Sequence, residues 1–355
     1  MVVKNRKLIK EFQVQSKTHP DKSIRAYYLA LQKIAKESQK FNQFLADIIN
    51  KRTDLTEKHL ANLMYRSTQY IMIYHNGKRD LATMEMDDWI KEYSALLDNE
   101  ALLDTHYIQN TTENTQTTKY QRYAGPKAAL KAIYKNRPIN IADIGCGLNI
   151  GLPGIELDYP YMRIKDNTGD STINKLVKDS VNVKKGISVD ITNPKEKLTW
   201  ALACSFYPGE LGSLEETETL IEFLWNKTKT DFYQYDAKNI NSLWNEKKLP
   251  KLDAAIASTF LYQLEDEERE KTLKNIGKIL KQNGILIVND FVEVDGTLSW
   301  DVDWFEKGGS SYRTVVLVKT KSGFSRPYEF IIWKNARCRE ASAGRDFDKV
   351  INLKI

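Results

Sequence analysis

From residue 139 onward the sequence alternates between two periods, and this alternation limits the fold more than any other feature. Seven short runs rich in β-branched and aromatic residues recur: INIADIG (139–145), KGISVDI (185–191), TDFYQYDA (230–237), LDAAIAST (252–259), GILIVNDFVEV (284–294), RTVVLVKT (313–320) and YEFIIWK (328–334). Helical patterns fit between them, at 150–158, about 195–204, 213–228 and 265–282. Strands separated by helices imply βαβ units and a mostly parallel sheet. The last two runs are joined only by KSGFSRP, which leaves no room for a helix. They predict an antiparallel hairpin at one edge of a seven-stranded sheet.

The first hundred residues carry a different texture. In SIRAYYLALQKIAKESQKFNQFLADIIN, apolar residues such as Ile24, Tyr28, Leu31, Phe41 and Ile48 recur close to a 3.6-residue period. TDLTEKHLANLMYRSTQYIMIYHNG repeats that pattern, with Thr53 or Thr56 as a cap and Asn76-Gly77 as a stop. MDDWIKEYSALLDN predicts a third helix with an acidic first turn. The stretch after it, THYIQNTTENTQTTKYQRYAGP, is polar and reads as a linker or mobile loop. We therefore expect an all-helical N-terminal region over 1–119 and an α/β domain over 120–355.

Composition narrows the class. The chain has 355 residues, 41% hydrophobic and 28% charged, and a mean hydropathy of −0.51. No apolar run approaches the roughly 20 residues of a transmembrane helix. The basic N-terminus lacks the apolar core of a secretion signal. Three distant cysteines, Cys146, Cys204 and Cys338, form neither a zinc spacing nor a disulfide framework. A cytoplasmic protein without a structural metal is expected. Residues 1–40 hold ten lysines and arginines against three acids. That arm suits a solvated helix face, or a grip on nucleic acid or another acidic partner.

The first apolar run ends on Asp143 and is followed by Gly145, Gly147 and Gly151. A strand feeding a helix through a glycine turn is a ligand cradle, because glycine admits unusual dihedrals and close backbone approach. The spacing decides the ligand. A dinucleotide fingerprint needs a third glycine at position 150, where Ile150 stands. A phosphate loop needs Gly-Lys-Ser/Thr, which is absent. The pattern present is D-x-G-x-G-x-x-x-G.

In this pattern the chain resembles the class I S-adenosylmethionine-dependent methyltransferases, with Asp143, Gly145, Cys146, Gly147 and Gly151 matching their first motif. The resemblance covers roughly residues 120–335 and implies a Rossmann-like fold and S-adenosyl-L-methionine as cofactor. It implies that Asp143 holds the cofactor's ammonium group, directly or through water. Asp190, closing KKGISVD, resembles the acid that accepts hydrogen bonds from both ribose hydroxyls. It lies 47 residues after Asp143, where about 20 is usual for such folds. The excess predicts an insertion at about 159–185, a hairpin plus a helix. Glu156, Asp158, Asp166 and Asp170 sit at the shorter spacing, but none follows an apolar strand. Asp236 and Ala237 resemble the pair that meets the adenine ring, and Ser258 and Thr259 the fourth motif at the cofactor face. A fainter similarity, carried by Trp200, Ala203-Cys204 and Pro208, points to an uncharacterised bacterial methyltransferase-like family with a helical N-terminal part. The glycine loop here is shorter than in that family.

Methyl transfer to a small-molecule or peptide acceptor is the activity the resemblance implies. It is an in-line displacement in which the protein supplies mainly alignment. A base is needed only where the acceptor must lose a proton. All four histidines lie upstream of the glycine loop, and His106 is the best placed of them. Tyr262 and Asp290, near strand ends, are the other candidates. Tyr120, Tyr123, Tyr262 and Trp304 could line an acceptor pocket. Two further readings stay open on the sequence: an RNA or protein methyltransferase gripping through the basic arm, and a non-catalytic S-adenosylmethionine binder. The sequence does not address oligomeric state.

Overall fold

A computed structural model describes residues 2–300 and 312–355. The chain divides into two compact units, residues 1–118 with 197–219, and residues 119–196 with 220–355. No helix among the described residues is long and apolar enough to cross a membrane.

The first unit is built on α1 (Val2–Thr18), α2 (Lys22–Glu37), α3 (Gln39–Lys51), α4 (Glu57–Tyr74), α5 (Met86–Asp98) and α6 (Glu100–Thr112). Side-chain caps set the boundaries. Asp21 accepts from the Ile24 N–H, Ser38 from that of Phe41, and Thr56 from that of His59. The Ser38 cap divides the long first pattern into α2 and α3. In the core Tyr27 stands edge-on to Tyr28, Tyr65 and Trp89, each pair with ring centroids 5.2 Å apart.

Helix α6 corrects the sequence reading, which placed a linker from residue 105. Its buried side is polar, presenting His106, Gln109 and Asn110, so the segment carries no apolar period to detect. Hydrogen bonds satisfy that face instead, beginning with Ser67, which reaches both His106 and Gln109. Arg66 and Gln69 of α4 anchor the later part of this unit. Gln69 Nε2 donates to the carbonyls of Ala203 and Phe206 at 2.6 and 2.9 Å, and Arg66 Nη1 donates to Phe206 at 2.6 Å. These carbonyls end the helix Pro194–Ser205, where a cation also meets the negative end of the helix dipole.

The second unit holds the sheet. Its strands are β1 (Ile139–Ile144), β2 (Lys165–Asp166), β3 (Val183–Asp190), β4 (Asp231–Gln234), β5 (Leu252–Ser258), β6 (Leu280–Phe291), β7 (Glu293–Asp295), β8 (Thr297–Ser299), β9 (Tyr312–Thr320), β10 (Gly323–Phe324), β11 (Tyr328–Trp333) and β12 (Glu340–Ala343). The main sheet runs β2-β12-β11-β9-β6-β5-β1-β3-β4, with β10 on β9, while β7 and β8 pair apart. Strands β4, β3, β1, β5 and β6 are mutually parallel. β9 is antiparallel to both β6 and β11.

All seven apolar runs form strands, but the described sheet has ten members, not seven. The additions β2, β10 and β12 have two, two and four residues, too short to show a period. They also move the edge. The β9–β11 hairpin is antiparallel as expected, yet β12 and β2 pair outside it. β2 comes from the expected insertion, which therefore gives a single strand plus the helix Thr172–Lys178, not a hairpin. Both faces of the sheet are covered. Ile139 and Ile141 point into one apolar cluster, Ala142 and Ile144 into the other, the burial expected of parallel strands.

Candidate cofactor site

The glycine turn lies at the carboxyl end of β1, between β3 and β5. Gly145 and Gly147 take φ of +73° and +56°, the left-handed region that glycine enters without penalty. The N–H groups of Gly145 and Cys146 donate to the Val189 carbonyl, tying the turn to β3. Helix α7 (Ala124–Tyr134) precedes β1, and helix α8 (Gly151–Glu156) follows the turn. A Cβ at Gly151 would lie 1.9 Å from the Tyr123 ring, and one at Gly145 would lie 2.5 Å from the Phe260 ring. Each glycine is thus the floor under an aromatic side chain.

Asp143 registers with Ser188 on β3 and Ile256 on β5. It is fully buried, and no hydrogen bond of good geometry reaches either carboxylate oxygen, although the Tyr123 hydroxyl and the Leu152 N–H lie close enough to act on it. Burial pushes its pKa up to about 7, and the nearby charge of Asp190 adds to the rise. The Tyr123 hydroxyl and the Leu152 N–H oppose it. A carboxylate buried without donors costs free energy unless a cation or donor arrives.

Asp190 reaches the same turn across the insertion. Its Oδ2 accepts from the Gly147 N–H at 2.8 Å, and its Oδ1 from the Thr192 N–H and hydroxyl at 3.1 and 3.0 Å. Three acids at the shorter spacing are engaged elsewhere. Glu156 caps the Thr228–Thr230 segment, accepting from both hydroxyls and from the N–H groups of Lys229 and Thr230. Asp158 pairs with Lys127. Asp166 accepts from Thr168 and Asn174.

The other sequence candidates are distributed as follows. Asp236 caps the turn at Ala237–Asn239, accepting from the Lys238 N–H and the Asn239 amide, with Ala237 buried behind it. Ser258 is buried at the end of β5 and accepts from Asn289. Thr259 takes φ +56° and shares a 2.9 Å hydrogen bond with the Tyr312 hydroxyl. Asp290 is fully buried and accepts from the Tyr262 and Phe291 N–H groups. Burial raises its pKa to about 7 and that of Tyr262 to about 12. Tyr120 and Tyr123 form one turn that packs on α8, and Tyr120 fills the space over Gly154.

His106 belongs to the helical unit. Its Nδ1 meets Ser67 at 2.6 Å and its Nε2 meets Tyr93 at 2.9 Å. Burial lowers its pKa to about 3, so it is neutral. Trp304 lies outside the described residues.

One residue at these strand ends escaped the sequence reading. Asn289, buried in β6, donates to the Arg122 carbonyl, to Ser258 and to the Tyr312 hydroxyl, and accepts from Thr314 at 2.6 Å. It links the Tyr120–Tyr123 turn to the ends of β5, β6 and β9. An amide inside the apolar run ILIVN was the available signal.

No protein-family model matches the sequence, and no curated protein does. Methyltransferases are among the solved structures it is similar to. The N-methyltransferase NodS from Bradyrhizobium japonicum, in complex with S-adenosyl-L-homocysteine, is 13% identical with a TM-score of 0.28, over 50% of this chain and 64% of that one. The plantazolicin methyltransferase BamL, in complex with a triazolic desmethylPZN analogue and SAH, is 9% identical with a TM-score of 0.28, over 66% and 58%. The [4+2]-cyclase SpnF is 16% identical with a TM-score of 0.28, over 48% and 44%. The chain spans less than two thirds of each of these proteins. At such distances, function has to be read from the chain's own residues.

Proposed function

We propose that this chain binds S-adenosyl-L-methionine and transfers its methyl group to a small-molecule or peptide acceptor. Asp143 carries the reading: a fully buried carboxylate without a well-formed hydrogen bond, at the end of the central strand, beside a turn of left-handed glycines. That buried acceptor fits a cationic amino-acid tail. It does not fit a phosphate, which Asp143 and Asp190 would repel.

In this reading Asp143 holds the ammonium and Asp190 the ribose hydroxyls, while the turn Gly145–Gly147 gives close backbone approach. Asp236 and Ala237 face the adenine, with Ser258 and Thr259 at the carboxyl end of β5, on the other side of β1. The bound cofactor supplies an electrophilic methyl on a sulfonium. The chain's own residues bind, orient and exclude water. The helical region 1–119 serves as a lid or in acceptor binding. His106 takes no part, because both its ring nitrogens are occupied inside the helical unit. Asp290 already accepts from two backbone N–H groups, which disfavours it as a base.

The test is titration with S-adenosyl-L-homocysteine. Asp143→Ala and Asp190→Ala should each weaken binding by about 1–3 kcal/mol. Full affinity in the Asp190 variant would reassign the ribose contact. Absence of any binding to the wild type would overturn the proposal. Incubation with labelled S-adenosylmethionine and cell extract then separates enzyme from binder: released S-adenosylhomocysteine marks turnover.

A further inference from the structure

The insertion at 159–185 builds a second site. A cleft of about 610 Å³ lies between the helix Ala124–Tyr134, the loop after α8 and the helix Thr172–Lys178. That size is ordinary for a small-molecule pocket. None of its lining residues belongs to the cofactor site above.

Its charge is lopsided. Lys127, Arg163, Lys175 and Lys178 line it, against one carboxylate, Asp158. Among the described residues the only ion pair within the lining is Lys127 with Asp158. Lys127 sits at the floor, almost wholly buried, with its ammonium 5.5 Å from the Tyr161 ring centroid. Asp158 answers that one charge, and among the described residues Arg163, Lys175 and Lys178 form no ion pair. Lys175 and Lys178 are three residues apart on one helix face, where like charges repel. Met162, 61% exposed, and Val177 add an apolar wall.

We propose that this cleft binds a small phosphate-bearing molecule. A phosphate dianion matches the surplus of cations better than a single carboxylate does. Arginine offers a planar fork to phosphate oxygens, and lysines add point charges. The rest of the ligand would lie against Met162 and Val177.

The probes are pyrophosphate and inorganic phosphate, titrated calorimetrically at constant ionic strength against the full chain. Saturable binding of pyrophosphate, tighter than that of phosphate, is expected. The double variant Lys175→Gln/Lys178→Gln changes only exposed side chains, and should weaken it by about tenfold or more. Its S-adenosylhomocysteine isotherm should match the wild type, which separates this site from the cofactor site. No saturable binding, or equal binding in the variant, would overturn the proposal. A short single-stranded RNA bound far more tightly than pyrophosphate, with the same dependence on Lys175 and Lys178, would also overturn it and assign the surface to nucleic acid.

Discussion

Cofactor affinity should depend on pH through Asp143. Burial raises its pKa to about 7, so at neutral pH the ligand-free site is near half protonation. A cationic ligand binds the charged carboxylate. Binding below pH 7 must therefore expel a proton, and affinity must fall as pH falls through 7. Complete release of one proton gives a tenfold loss per pH unit below that point. Between pH 7.5 and pH 5.5 the dissociation constant for S-adenosyl-L-homocysteine should rise about 25-fold, or about 2 kcal/mol.

Calorimetry in two buffers of different ionisation enthalpy counts the protons directly. At pH 6 about 0.9 proton should leave per ligand bound. Asp143→Asn should bind weakly and lose the pH dependence. A wild-type constant that stays flat from pH 7.5 to 5.5, with no proton released, would mean that no cation meets Asp143. Proton uptake on binding would refute the reasoning outright.

Two further predictions concern packing. Gly151→Ala drives a methyl into the Tyr123 ring, and should cost about 1–3 kcal/mol, read by chemical denaturation; Tyr123→Leu in the same chain should recover part of it. Arg66→Met removes a buried donor to the Phe206 carbonyl and should cost about 1–3 kcal/mol. Limited proteolysis of that variant should cut first within residues 197–219, and cutting elsewhere would show that Arg66 does not anchor the segment.

The sheet was legible in the sequence because each central strand is buried on both faces and so reads as a continuous apolar run. Runs such as AAIAS and ILIV admit few other readings. The short strands β2, β10 and β12 were not legible, since two to four residues carry no period. Helix α6 was hidden for the opposite reason. Its buried side is made of polar groups whose partners, Ser67 and Tyr93, lie far away in sequence. At the site, the turn 143–151 was legible from spacing alone. Asp190 stands out in the sequence because it ends an apolar strand, and the structure places its carboxylate on the Gly147 N–H of the same turn. Asn289 was missed because its meaning depends on Arg122, Tyr312 and Thr314, which only tertiary structure assembles.

Asp143 also exposes a conflict between stability and binding. Its carboxyl has a pKa near 3.8 when free and about 7 in the fold. A raised pKa contributes stability fully below pH 3.8 and loses it as pH rises through 7. Relative to acid, the charged form at pH 8 costs the fold about 4 kcal/mol. Asp143→Asn removes that charge but buries an amide without partners, at about 1–3 kcal/mol. The variant should therefore be more stable than the wild type at pH 8, by about 1–3 kcal/mol, and should lose that advantage at pH 4. Denaturant midpoints at the two pH values measure the difference. His106, with its pKa lowered to about 3, destabilises both proteins alike as pH falls below 6.5, so it cancels in the comparison. A wild type more stable than Asp143→Asn at pH 8 would show that the fold already compensates the charge. The ligand would then not be what makes a carboxylate worth keeping there.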